Sequence, residues 1–141
     1  MAELDVDFII RLLAKPDQAL YRAAAEGTCE LANALIRSGY NINKKHEEDG
    51  TVPIHAAAVC GQTDIVDLLM KEGANVRSKD DFGYEPLHYA AFNGHQETVN
   101  LLIAYGASVE VKNNNGESPI DLARQSKHKK IVRKLLQCKP S

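Results

Sequence analysis

The feature that most constrains this 141-residue chain is that it repeats itself. The stretch from Gly50, GTVPIHAAAVCGQTDIVDLLMKEGANV, returns 33 residues later at Gly83 as GYEPLHYAAFNGHQETVNLLIAYGASV. It returns again at Gly116 as GESPIDLARQSKHKKIVRKLLQCKP. Under this shift Pro53, Pro86 and Pro119 coincide, as do Ala57, Ala90 and Ala123, and Val66, Val99 and Val132. A further copy, LYRAAAEGTCELANALIRSGYNI from Leu20 to Ile42, lies upstream at an offset of 34. Its additional residue falls in the polar stretch Lys44–Asp49, where an insertion costs least. A period of this length describes one small unit stacked on copies of itself, since no single copy can bury its own apolar face.

Each copy predicts two short helices. Proline in the first turn suits a helix start, where its missing N–H would be unpaired anyway. Leu87, Ala90 and Ala91 then define one apolar face, and Gly94 breaks the helix. Thr98, Val99, Leu101, Leu102 and Ile103 form a second, more apolar helix that ends at Gly106, where the backbone is expected at positive φ. Helices of about eight residues do not stand alone in water and must pack on neighbours. The composition agrees: 17 alanines and 14 leucines against three phenylalanines and no tryptophan suit small helices in close contact.

The pattern GxxPLHxAAxxG, followed by VxxLLxxGAxV at a period of 33, resembles the ankyrin repeat. The similarity runs over about residues 18–138, strongest in 50–111. It implies an all-α ankyrin-repeat solenoid of helix-turn-helix units with hairpin-like loops between them. The expected organisation is a single domain over 1–141. A capping helix falls within 1–16, repeats cover 17–49, 50–82 and 83–115, and a degenerate capping repeat covers 116–141. Ile9, Ile10, Leu12 and Leu13 match a second repeat helix that Pro16 stops, so 3–14 is read as the leading cap. Arg124, Lys127, Lys129, Lys130, Arg133 and Lys134 replace apolar or neutral repeat positions, as a terminal repeat with a solvated outer face requires. One departure stands out. The family's threonine before proline bonds the histidine of the same repeat, but the pairs here are Val52/His55, Glu85/His88 and Ser118/Asp121. Glu85 is expected to reach His88 as a local substitute, three residues along a helix.

Little points to catalysis. His55 and His88 occupy the same repeat position, which favours a structural role over acid–base work. His46, His95 and His128 read as scattered and solvated. Neither a phosphate-binding glycine loop nor a nucleophile–histidine pattern is visible, so no enzyme activity and no cofactor is expected. Cys29, Cys60 and Cys138 lack metal-ligand spacing. Free cysteines without an Asn-x-Ser/Thr sequon fit a reducing compartment, cytoplasm or nucleus. The chain starts with acidic residues, unlike the basic leading region of a secretory signal, and no apolar run approaches the ~18 residues of a membrane span. Residues 1–120 carry 10 basic and 18 acidic side chains, while 121–141 carry seven basic and one acidic. An acidic body of this kind does not suggest general nucleic-acid binding. The basic run Lys127–Lys134 reads as a solubilising cap, with an import signal or anionic-surface patch as the alternative.

The resemblance implies a non-catalytic module, expected as a monomer, whose concave palm of hairpin tips and first helices receives a protein or extended peptide. Positions around the hairpin and after LHxAA vary within the family. Here they carry Asp81, Phe82, Tyr84, Tyr89, Phe92 and Asn93, with Tyr105 at the end of the second helix. In the preceding copy they carry Glu48, Asp49 and Thr51, beside Val59 and Cys60. So many aromatics in one repeat exceed what thin helices need for packing, and aromatics dominate binding hot spots. The acidic rim Glu47, Glu48 and Asp49 favours a partner with a basic segment. Scaffold, adaptor and inhibitor are the expected roles. The alternatives are the ankyrin portion of a larger multidomain protein, or a bacterial effector resembling host ankyrin proteins. Finally, Asn43 sits where some ankyrin repeats are hydroxylated, with Leu35 eight residues before it; the later counterparts are Arg77 and Glu110.

Overall fold

A computed structural model describes residues 18–139. Eight helices follow one another: α1 (Ala19–Glu26), α2 (Cys29–Arg37), α3 (Pro53–Cys60), α4 (Thr63–Lys71), α5 (Pro86–Phe92), α6 (Gln96–Ala104), α7 (Pro119–Gln125) and α8 (Lys129–Gln137). No strand occurs among the described residues, and the fold is the all-α solenoid of paired helices that the repeat predicts. The expected leading cap at 3–14 lies outside the described residues. Among the described residues no helix is long and apolar enough to cross a membrane.

The helices form two rows. The first helices of successive units, α1, α3, α5 and α7, pack side by side, and the second helices, α2, α4, α6 and α8, form a row behind them. Composition explains the spacing within the first row. Ala23, Ala24, Ala57, Ala58, Ala90, Ala91 and Ala123 are fully buried there, and side chains this small let neighbouring backbones approach. Larger groups fill the layer between the rows: Ile65, Val66, Leu69, Val99, Leu102 and Leu135 are fully buried.

Polar bonds at constant repeat positions join the units. His55 accepts the N–H of Val52 on Nδ1 at 3.1 Å and donates from Nε2 to the Tyr84 carbonyl of the next unit at 2.9 Å. His88 does the same with the N–H of Glu85 at 3.0 Å and the Glu117 carbonyl at 3.0 Å. Both imidazoles are fully buried, and burial holds both below the usual histidine range, which matches rings that use one nitrogen as acceptor. The last unit, with aspartate in place of histidine, closes its own helix start: Ser118 Oγ accepts the Asp121 N–H while Asp121 accepts the Ser118 N–H at 2.9 Å.

Two expectations are corrected here. The Glu85 side chain does not bond His88, because the ring nitrogen is already taken by the Glu85 backbone. Glu85 is buried instead, with Oε1 lacking a hydrogen-bond partner and 3.8 Å from Arg77 Nε, and burial raises its pKa. His95 and His128 are not scattered solvated residues. With Gln62 they share one repeat position at the entry to the second helix. From it Gln62 bonds the Ala25 carbonyl at 3.2 Å, His95 the Val59 carbonyl at 2.9 Å and His128 the Phe92 carbonyl at 3.0 Å. Gly94, at φ +78°, makes room for this joint, since a Cβ there would lie 2.6 Å from the His128 ring.

Candidate partner-binding face

The hairpins project beyond the helices and stack on one another. Asp80 N–H bonds the Tyr84 carbonyl and Asn113 N–H the Glu117 carbonyl, each closing a four-residue step. In the first hairpin the equivalent bond runs from His46 to Thr51, one residue longer, which puts the additional residue inside the polar stretch predicted for it. Adjacent tips are tied by Asp81 N–H to the Asp49 carbonyl and Asn114 N–H to the Phe82 carbonyl. A shelf of loops results, tied tip to tip by these bonds.

Asp80 organises the central hairpin. Its Oδ1 accepts the N–H groups of Phe82 and Tyr84 at 3.0 and 2.9 Å, and its Oδ2 accepts the Tyr89 hydroxyl from α5. Burial and then this bond hold the Tyr89 phenol far above its ordinary range, so it remains a donor. In the following unit Asn113 has the same role, accepting the N–H groups of Asn115 and Glu117 at 2.9 Å. The tyrosines are thereby oriented. The Tyr84 and Tyr89 rings lie 5.0 Å apart, Tyr84 stands edge-on to His88 at 5.6 Å, and Tyr89 edge-on to His55 at 5.9 Å.

Where the shelf meets the first row of helices, a cavity of about 240 Å3 opens between α5 and α7. Tyr84, Tyr89 and Phe92 line one side of it, Glu117, Leu122 and Gln125 the other, and His88 also contributes. The structure thus brings together three of the residues singled out in the sequence. Phe82 (59% exposed) and Phe92 (46% exposed) are the most solvent-exposed aromatics among the described residues. Asp81 and Asn93 are exposed beside them, and Glu48 is exposed on the first hairpin. Asp49 is half-buried; burial pushes its carboxyl up, but the Thr51 hydroxyl at 2.7 Å and N–H at 3.0 Å outweigh this and hold it below its usual value.

Two singled-out residues lie apart. Thr51 is buried and spends its hydroxyl on Asp49. Tyr105 sits at the end of α6, in the second row, where its hydroxyl bonds Asp67 of α4. Asn43 is exposed, its N–H donating to Asn41 Oδ1 at 2.9 Å, and borders a separate cleft with Lys45, Asn75, Arg77, Ser78 and Lys79. Sequence reasoning missed Glu117, Leu122 and Gln125. The signal was available, because these are Tyr84, Tyr89 and Phe92 advanced by one period of 33. Among the described residues no group of three or more His, Cys, Asp or Glu is placed to hold a metal ion.

Known proteins are similar to this chain in sequence. A family model described as ankyrin repeats (3 copies) matches residues 20–113 and 79–141. The chain is 32% identical over 65 residues to the 2-5A-dependent ribonuclease of Homo sapiens, covering 46% of this chain and 9% of that protein. It is 42% identical over 52 residues to protein phosphatase 1 regulatory subunit 12A of Mus musculus, 37% of this chain and 5% of that protein. It is also 42% identical over 64 residues to transient receptor potential cation channel subfamily A member 1 of Homo sapiens, 45% of this chain and 6% of that protein. The matched stretches therefore span less than a tenth of these relatives.

Proposed function

The chain belongs to the ankyrin-repeat family, and from that premise we propose that it holds a protein or extended peptide on the face formed by its hairpins and first helices, as a scaffold, adaptor or inhibitor. Ankyrin repeats are interaction modules and generally non-catalytic. The observation that carries the reading to this face is the cluster of exposed Phe82 and Phe92 around the Tyr84–Tyr89 cavity. Apolar groups left in water next to a shaped cavity are characteristic of binding surfaces, and a preformed shelf loses little freedom when a partner docks. Asp81, Asn93, Glu48 and Asp49 supply its polar rim. Thr51 and Tyr105 act indirectly, one by tying Asp49 in place and the other by bracing the second row. We place the protein in the cytoplasm or nucleus.

The test is paired affinity capture with the wild-type chain and the Phe82→Ala/Phe92→Ala variant. Partners held by the proposed face disappear from the variant's list while the variant keeps its melting temperature. Identical lists would move the interface elsewhere, first to the basic cap at Arg124–Lys134. Hydroxylation of Asn43 is proposed on the family's precedent and its exposure. Intact mass after treatment with an asparaginyl hydroxylase should rise by one oxygen atom, and an unchanged mass would rule it out.

A further inference from the structure

We propose that the cavity between α5 and α7 is a specificity pocket for an arginine side chain of the partner. The inference rests on the docking face argued above and names the chemistry that this face selects. Three aromatic rings, Tyr84, Tyr89 and Phe92, line one wall of the cavity, and Leu122 adds apolar surface opposite. The other side carries a carboxylate. Glu117 Oε1 accepts from Asn113 Nδ2 at 3.1 Å and Oε2 accepts from Gln125 Nε2 at 2.7 Å, which holds the group in place and leaves lone pairs on both oxygens. These bonds keep its pKa below the ordinary glutamate value. Aromatic faces attract a cation, and a carboxylate at their edge completes the pairing. The Tyr89 hydroxyl, donating to the Asp80 carboxylate, adds electron density to its ring and strengthens that attraction.

Charge around the cavity agrees. Glu117 lines it, Asp80 lies behind it, and Asp81 and Asp49 extend the same sign along the stacked hairpins. Lys45, Arg77 and Lys79 border the separate cleft beside Asn43, which shares no lining residue with the aromatic cavity. Of the two natural cationic side chains, arginine fits better. Its planar guanidinium stacks on aromatic faces and forks onto a carboxylate, whereas the lysine ammonium is a compact, strongly hydrated charge.

The experiment has two arms. In the first, acetyl-arginine amide and its neutral isostere acetyl-citrulline amide are titrated into the labelled chain and followed by NMR. The arginine probe should shift side-chain signals of Tyr84, Tyr89, Phe92 and Gln125 with at least about tenfold higher affinity than citrulline. Glu117→Gln should remove most of that preference while the helical circular dichroism stays that of the wild-type chain. In the second arm, peptides selected on the chain from a random library are mapped by the same signals. Enriched sequences should carry one arginine whose replacement by citrulline weakens binding about tenfold. Peptides that occupy this face without an arginine preference, or equal responses to the two small probes, would overturn the pocket and leave the docking face standing. Selected peptides mapping away from the face would overturn both.

Discussion

At the scale of single residues, the most informative side chain is Glu85. It occupies the place before proline that Ser118 holds in the last unit, yet it is 1% exposed and one of its oxygens has no hydrogen-bond partner. A buried acceptor without a donor costs about 1–3 kcal/mol. Glu85→Ser removes that oxygen and restores the hydroxyl that Ser118 uses to accept the Asp121 N–H. Urea unfolding should show a gain of about 1–2 kcal/mol, and a loss would mean that the Arg77 contact at 3.8 Å outweighs desolvation. His55 and His88 set the pH dependence. Burial lowers both in the folded state, so the unfolded chain takes up protons first as pH falls through the ordinary histidine value of 6.5. Their contribution is fully present above that value and is lost as pH drops through it towards their folded pKa. Glu85 works in the opposite sense. Its raised pKa favours the protonated folded form, so its contribution is greatest in acid and declines as pH rises past 4.5. The urea midpoint should therefore fall between about pH 7.5 and 5.5. An unchanged slope in a His55→Gln/His88→Gln variant would show that other groups control it.

At the scale of elements, the joints between units matter more than any one helix. Gly94 and Gly106 both sit at positive φ, +78° and +96°, but in different surroundings. A Cβ on Gly106 meets nothing within 4 Å, so Gly106→Ala bears only the backbone cost of about 1 kcal/mol. A Cβ on Gly94 runs into the His128 ring at 2.6 Å and would also displace its bond to the Phe92 carbonyl. Gly94→Ala should lower stability by about 2–3 kcal/mol, and equal losses in the two variants would contradict the joint. This also shows what was legible in the sequence. Helix pairs, the positive φ at Gly106 and the place of the additional hairpin residue follow from local rules applied once per period. The inter-unit bonds of His95 and His128 did not, because they depend on which carbonyl the preceding unit leaves open, and that is visible only once two copies are stacked. Glu85 escapes sequence reasoning for a related reason: helical spacing puts it within reach of His88, but its own backbone N–H already claims the ring.

At the scale of the whole molecule, a two-row stack turns one period into a continuous surface. Positions 51, 84 and 117 fall in line along it, as do 56, 89 and 122, and 59, 92 and 125. Reading one unit alone found Tyr84, Tyr89 and Phe92 but not the opposite wall of the cavity, which belongs to the next unit. Exposure further separates the residues proposed to carry binding from those that brace them. Tyr84 and Tyr89 are half-buried and face each other, whereas Phe82 and Phe92 stand in solvent, so the latter pair can be truncated with little loss of core. The central claim is that this face is the partner interface. Calorimetric titration of a captured partner against the wild-type chain, Phe82→Ala/Phe92→Ala and Lys71→Ala, a change on the second row, tests it most directly. The account predicts binding weakened by about 2–4 kcal/mol, ~30–1000-fold, in the double variant at unchanged melting temperature, and wild-type affinity in Lys71→Ala. Equal affinity in all three chains would contradict it.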